Sequence, residues 1–166
     1  MRKCNTLAVR YQLKRKERSD RMETHNRLRL QYTRLQGQHW RLQSMFNLHA
    51  MDGSSGVGWS LSESVRFQQA AGRLSAMLSY FHTPDYDTRL FVYEPVLSDM
   101  FRYPSLYGRG LRLCAAGQYA FWHRRLTVEA LYGLTRYTDR KTQSSGMQEI
   151  RSPWKQDISV QVKLRM

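Results

Sequence analysis

Five histidines, two cysteines and a pair of serines between glycines are the side chains best suited to bond-making chemistry in this 166-residue chain. Their spacing does not organise them for it. No two of His25, His39, His49, His82 and His123 stand four apart, as a helical metal site requires, and no Gly-x-Ser-x-Gly elbow occurs. Ser54 and Ser55, between Gly53 and Gly56, have the composition of a tight turn. His123, beside Arg124, would need a serine within hydrogen-bond reach to act as a base. Cys4 and Cys114 form neither a disulfide framework nor a zinc-ligand spacing. The expectation is a protein that is not an enzyme, with no metal and no cofactor.

Charge is the stronger signal. Lys and Arg number 27 against 13 Asp and Glu, a net charge of +14. Arg29, Arg41, Arg66, Arg73 and Arg112 each alternate with apolar neighbours, so in extended chain they share one face. A set of arginines on one polar face attracts anions and repels cations. The competing use is structural, with these arginines bracing the face through ion pairs to acids such as Glu129 and Asp157. Further basic residues, among them Lys14, Arg15, Lys16, Arg102, Arg109, Arg124, Arg125, Arg140 and Lys141, fall near expected strand ends, where they can meet lipid phosphates or simply face water.

The elements that position these residues show a period of two. Trp40, Leu42, Phe46, Leu48 and Ala50 alternate with Arg41, Gln43, Asn47 and His49. Ile158, Val160, Val162 and Leu164 alternate with Asp157, Ser159, Gln161, Lys163 and Arg165. Strands point such sets to opposite faces, whereas a helix needs spacings of three and four. The same pattern recurs around Val9, Leu28, Trp59, Leu74, Leu111 and Leu126, and less regularly over residues 89–97, where Pro95 ends or edges a strand. About nine strands result, within a range of about eight to ten. Residues 16–25 read as a charged loop, residues 52–56 as a compact turn, and residues 98–110 and 139–153 as irregular. Short turns therefore alternate with long loops, as in an antiparallel up-and-down sheet with one ornate end.

No apolar run approaches the roughly 18–20 residues of a membrane helix. Several alternating runs do reach about nine to eleven residues, enough for a tilted strand to cross a bilayer. Aromatics near the run ends (Tyr32, Trp40, Trp59, Phe67, Tyr80, Tyr119 and Tyr137) suit interfacial girdles, and Glu63 is the main charge on the apolar parity. The leading expectation is an all-β transmembrane barrel over residues 1–166, or part of one, with a basic, polar lumen. A soluble ligand-binding barrel shows the same alternation with the apolar parity turned inward. A basic nucleic-acid-binding β-domain is the third reading; its stacking aromatics would need to share a face with the arginines, and they occupy the opposite parity.

The last third carries a resemblance. Tyr107-Gly108-Arg109-Gly110-Leu111-Arg112-Leu113 is followed by Leu131-Tyr132-Gly133-Leu134-Thr135-Arg136-Tyr137, Asp139-Arg140, Ser144-Ser145-Gly146-Met147-Gln148-Glu149-Ile150 and the run from Lys155 to Met166. This order resembles the C-terminal end of large outer-membrane β-barrel proteins of Bacteroidota, some of which carry helix-hairpin-helix segments ahead of the barrel. The resemblance covers most of residues 26–166. It implies an outer-membrane location, outer-membrane lipid and the barrel-insertion machinery as partners, and an anionic or polar solute or partner as cargo. The chain departs from the pattern in three places. It lacks a helix-hairpin-helix signature, it ends on Met166 where such proteins end on an aromatic, and its basic opening is not followed by the apolar core of a signal peptide. The expectation is a C-terminal part of a larger barrel with a truncated or mis-assigned start within residues 1–25.

Overall fold

A computed structural model of the chain describes residues 3–18, 21–122, 125–140, 142 and 152–165. His123, Arg124, Lys141, Met166 and the 144–150 segment lie outside the described residues.

The fold is all-β. Eight long strands form one antiparallel sheet in the order β1 (Lys3–Arg18), β2 (Arg21–Gln36), β3 (Trp40–Met51), β4 (Gly58–Gln68), β5 (Gly72–Thr83), β8 (Gly108–Phe121), β9 (Leu126–Tyr137) and β10 (Trp154–Leu164). Each strand pairs with its neighbour in the meander, so the sheet needs no crossover. Among the described residues the sheet is open, with β1 and β10 as its two edges. One end carries the short connections at residues 37–39 and 69–71; the opposite end carries the longer connections at 52–57 and 84–107.

Three expectations are corrected here. The charged loop at residues 16–25 is strand: β1 continues to Arg18 and β2 starts at Arg21, with Lys14 facing His25 and Lys16 facing Glu23 across the ladder. Because β3 reaches only to His25, through Met51, the tip beyond it is a two-stranded arm outside the sheet. Charged side chains suit that arm because both its faces meet solvent. The irregular run at 89–97 is not a ninth strand of the sheet. It contributes only β6 (Leu90–Phe91), which pairs with β7 (Ser105–Leu106) in a separate ladder. Tyr137 does not join an outer aromatic girdle; it is buried on the arginine-bearing face, edge-on to Phe81 at 6.0 Å.

The two faces have opposite character. Leu7, Val9, Leu30, Leu61, Leu113 and Ile158 lie on one face and are exposed, Leu7 by 71% and Ile158 by 70%. The other face holds the buried residues, many of them polar: Asn47, His49, Ser60, Ser62, Ser79, Arg112, Glu129 and Thr135. Residues 84–107, inserted between β5 and β8, cover this polar face. Val92 and Leu106 of the insert pack with Met45, Met77, Phe81 and Tyr137, while Leu97 and Met100 pack on Cys114, Ala116 and Leu131. The core is thus a thin apolar layer beneath the insert, set within a polar surround.

Candidate functional site

The register fixes which side chains meet on the covered face. One row across the sheet runs Gln31, Met45, Ser62, Ser79, Arg112, Thr135 and Lys155. Cross-strand partners share a face, and small serines at the centre of this row leave room for the insert. Ser79 donates to Ser62 at 2.8 Å and Asn47 donates to Ser60 at 3.2 Å, so these buried polar groups are satisfied within the sheet.

The insert is acidic where the chain is basic. Residues 84–107 carry Asp85, Asp87, Glu94 and Asp99 against Arg89 and Arg102, a net charge of −2 in a chain of +14. Its carboxylates meet sheet cations at two anchors. At the first, Arg112 lies 2% exposed and holds Glu94 through both Nε and Nη2, the latter at 2.8 Å. Arg112 Nη1 also donates to Thr135 Oγ1 at 2.6 Å, and Asp157 Oδ1 stands 3.5 Å away. Arg102 Nη1 closes the cluster on Asp157 Oδ2 at 2.5 Å, and this bond holds the Arg102 guanidinium above its ordinary pKa. Asp157 can lie here because the residue facing it is Gly133, where any Cβ would collide with the carboxylate.

At the second anchor, Glu129 is 1% exposed and accepts from Ser98 backbone N–H at 2.7 Å and Ser98 Oγ at 2.6 Å. Lys163 reaches Asp99 at 2.7 Å and also contacts Ser98 Oγ. The Lys163 ammonium, with Gln161 donating at 2.9 Å, holds the Asp99 carboxyl below the usual carboxylate range. The end of the insert nearest β5 is tied by Asp85, which accepts from Ser55 Oγ at 2.6 Å and Ser55 N–H at 2.7 Å and is likewise held below its ordinary pKa. Gly58 passes so close to the Thr88 carbonyl that no Cβ fits between them.

All five sequence-selected arginines lie on the covered side of the sheet, but they do not form one cluster. Arg112 takes the bracing role. Arg29 donates to Asn47 Oδ1 at 2.8 Å and stacks on Tyr93 of the insert, 4.6 Å from its centroid. Arg41 and Arg66 face each other across β3 and β4 near the short-turn end, and Arg73 follows on β5; none of the three has an ion-pair partner among the described residues. Of the acids expected to brace the face, Asp157 pairs with Arg112, whereas Glu129 binds Ser98 and stands 3.8 Å from Lys163. Glu94 was not singled out by the sequence, because its partner lies on a different element and no periodicity connects them.

A second group, of which the sequence points only to Arg29, lines a cavity of about 140 Å³ between β1–β3 and the insert: Arg10, Arg27, Arg29 and Arg89 with Asn47 and His49. Among the described residues, no carboxylate lines it. His49 Nδ1 donates to the Arg89 carbonyl at 3.2 Å, and its Nε2 lies 3.1 Å from His25 Nδ1. Among the described residues, no three His, Cys, Asp or Glu side chains gather as metal ligands.

The chain matches no family model, no curated protein and no solved structure.

The exposed face completes the geometry. Trp40 packs on Phe67 at 4.7 Å at the short-turn end, and Trp59 on Tyr80 at 5.4 Å at the opposite end. Between Trp59 and Phe67 on β4 lie eight residue steps, or about 26 Å of strand at about 3.3 Å per residue. The one carboxylate on this band of β4, Glu63, accepts from Ser44 of β3 at 2.8 Å.

Proposed function

We propose that the chain is a transmembrane β-barrel, or the C-terminal part of one in an outer membrane. Its polar face lines the interior, residues 84–107 fill that interior, and it acts in the passage or docking of a polar or anionic solute or partner. The observation that carries the reading is the inversion of the faces. Burying apolar surface is worth about 25 cal/mol per Å², so a soluble sheet turns its leucines and valines inward. Here Leu7, Val9, Leu61, Leu78, Ile158 and Val162 of the long strands are exposed, and Ser60, Ser62, Ser79, Asn47, His49, Arg112 and Glu129 are buried, with apolar residues such as Leu131 and Met45 buried only in the thin layer beneath the insert. Apolar patches beyond a few hundred Å² are rare on soluble monomers. A face of this kind suits hydrocarbon, and the aromatic pairs near its two margins suit the headgroup levels.

The open edges fit the same reading. Backbone N–H and C=O groups on β1 and β10 require partners in lipid, so a spanning sheet closes on itself, on further strands or on a second chain. The resemblance to the C-terminal end of Bacteroidota barrels supports further strands ahead of β1. With the insert seated, Glu94 and Asp157 neutralise Arg112 in the middle of the polar face, while Arg41, Arg66 and Arg73 toward one end have no ion-pair partner among the described residues. The mechanism is electrostatic attraction of anionic groups by those arginines, with no bond made or broken.

Fractionation with detergent, followed by electrophoresis of boiled and unboiled samples, tests the reading. Recovery with outer membranes and a mobility that depends on boiling is the expected result. A detergent-independent soluble species would return the sheet to the soluble class, with ligands or nucleic acid as the next partners to try.

A further inference from the structure

We infer that the cavity between β1–β3 and the insert is an oxyanion site that takes the phosphate group of a polar solute. This inference deepens the function proposed above, and rests on it, by naming the site and the chemical class. Four guanidinium groups border one cavity of about 140 Å³ that no carboxylate lines among the described residues. The space is many times the roughly 10–15 Å³ that a single water needs, so it admits a phosphate group with part of its carrier.

The cluster is built from three strands and the insert. Arg10 and Arg29 face each other across β1 and β2, Arg27 follows one rung on and faces His49 of β3, and Arg89 enters from the insert. Arg29 and Arg89 are fixed in place. Arg29 is held by Asn47 and stacked on Tyr93, and Arg89 donates through Nη1 to the Tyr86 carbonyl at 3.1 Å and stacks on the Tyr86 ring at 4.4 Å. Both keep further N–H groups unpaired among the described residues. Arg10 and Arg27 donate no hydrogen bond to a described residue. Glu23, the acid on the same face of β2, lies beyond His25, 3.7 Å from its ring.

Like charges gathered without counter-charge repel one another, and a bound anion relieves that repulsion. The contrast with Arg112 is informative, because there the insert supplies Glu94 as the partner. At this cavity the insert supplies a fourth cation instead. Guanidinium forks match phosphate oxygens with paired N–H donors, and stacked guanidiniums lose little further freedom on binding. The two imidazoles are engaged with each other and with the Arg89 carbonyl, so the arginines carry the recognition.

The test is calorimetric titration of inorganic phosphate into the full chain refolded in non-ionic micelles, with heat-modifiable mobility as the check on folding. Saturable binding is expected. Removing one charge-assisted contact weakens it about tenfold or more, in Arg27→Gln and separately in Arg89→Gln. Arg27→Lys keeps the charge and provides a second variant where Gln impairs folding; it is expected to bind more weakly than the parent and more tightly than Arg27→Gln. Arg34→Gln, on the exposed face, changes the net charge equally and leaves binding unchanged. Absence of saturable binding, or equal weakening by Arg34→Gln, overturns the site. Competition by phosphatidate added to the micelles would assign the phosphate to a lipid and overturn the solute. A detergent-independent species that binds phosphate through Arg27 and Arg89 would support the site while refuting the membrane reading.

Discussion

Removing Arg112 tests whether the insert is held by the ion cluster. In Arg112→Met, the Glu94 carboxylate, with 1% of its side chain exposed, loses its only hydrogen-bond partner among the described residues. Thr135 loses its bond to the guanidinium, while Asp157 keeps Arg102 at 2.5 Å. Leaving one member of a buried ion pair uncompensated costs about 3–5 kcal/mol. Glu94→Gln is milder, about 1–2 kcal/mol, because Arg112 retains Asp157 and Thr135. The double substitution Arg112→Met with Glu94→Leu leaves no orphaned charge and is expected to recover most of the loss. Urea unfolding of the refolded protein in micelles reads the effect; at a slope of about 2 kcal/mol per molar, the single variant shifts the midpoint by about 2 M. A loss below about 1 kcal/mol, or a double variant no better than Arg112→Met, would show that the cluster does not anchor the insert.

Three further outcomes follow from the same geometry. Gly133→Ala places a Cβ against the Asp157 carboxylate, displaces it from Arg102 and Arg112, and is expected to cost about as much as Asp157→Asn in the same unfolding assay. Replacing Arg41 and Arg66 together by Gln removes the facing pair near the short-turn end and is expected to reduce anion preference in bilayer recordings; unchanged selectivity would exclude these arginines from the path. Asp85 and Asp99 have folded pKa values lowered by Ser55 and by Lys163, so the stability they contribute is full above the ordinary aspartate value and is lost as pH falls through their folded values. Protection against hydrogen exchange over residues 85–99, with the rates corrected for the intrinsic pH dependence of amide exchange, should therefore hold steady between pH 7 and pH 5 and fall only below about pH 4.

The strands were legible because their signal is local. Alternation such as Leu42, Phe46, Leu48 against Gln43, Asn47, His49 fixes both the element and its faces within a dozen residues. All five selected arginines accordingly fall on one side of the sheet. The charge of residues 16–25 resembles that of a solvated loop, while cross-strand pairing, which composition does not encode, extends them as strand. Tyr137 lies near a run end, as a girdle residue does, but parity decides its face: five residues on from Tyr132, it points to the opposite one. The insert was the least legible part. Its anchors connect Glu94 with Arg112, Ser98 with Glu129 and Arg102 with Asp157, the last across 55 residues, and each pairing exists only once the meander has brought β8, β9 and β10 together. Parity puts Arg10, Arg27 and Arg29 on the polar side of their own strands, but the register brings Arg10 to Arg29 and the docked insert brings Arg89 to both.

Quenching of tryptophan fluorescence by brominated lipid tests the central claim most directly. Trp40, Trp59 and Trp154 all project from the exposed face near strand ends. In vesicles, bromine near the headgroups is expected to quench all three strongly, and bromine at the bilayer centre to quench them less. Fluorescence unaffected by bromine at either depth, from protein that is folded and vesicle-associated, would contradict a lipid-facing apolar band.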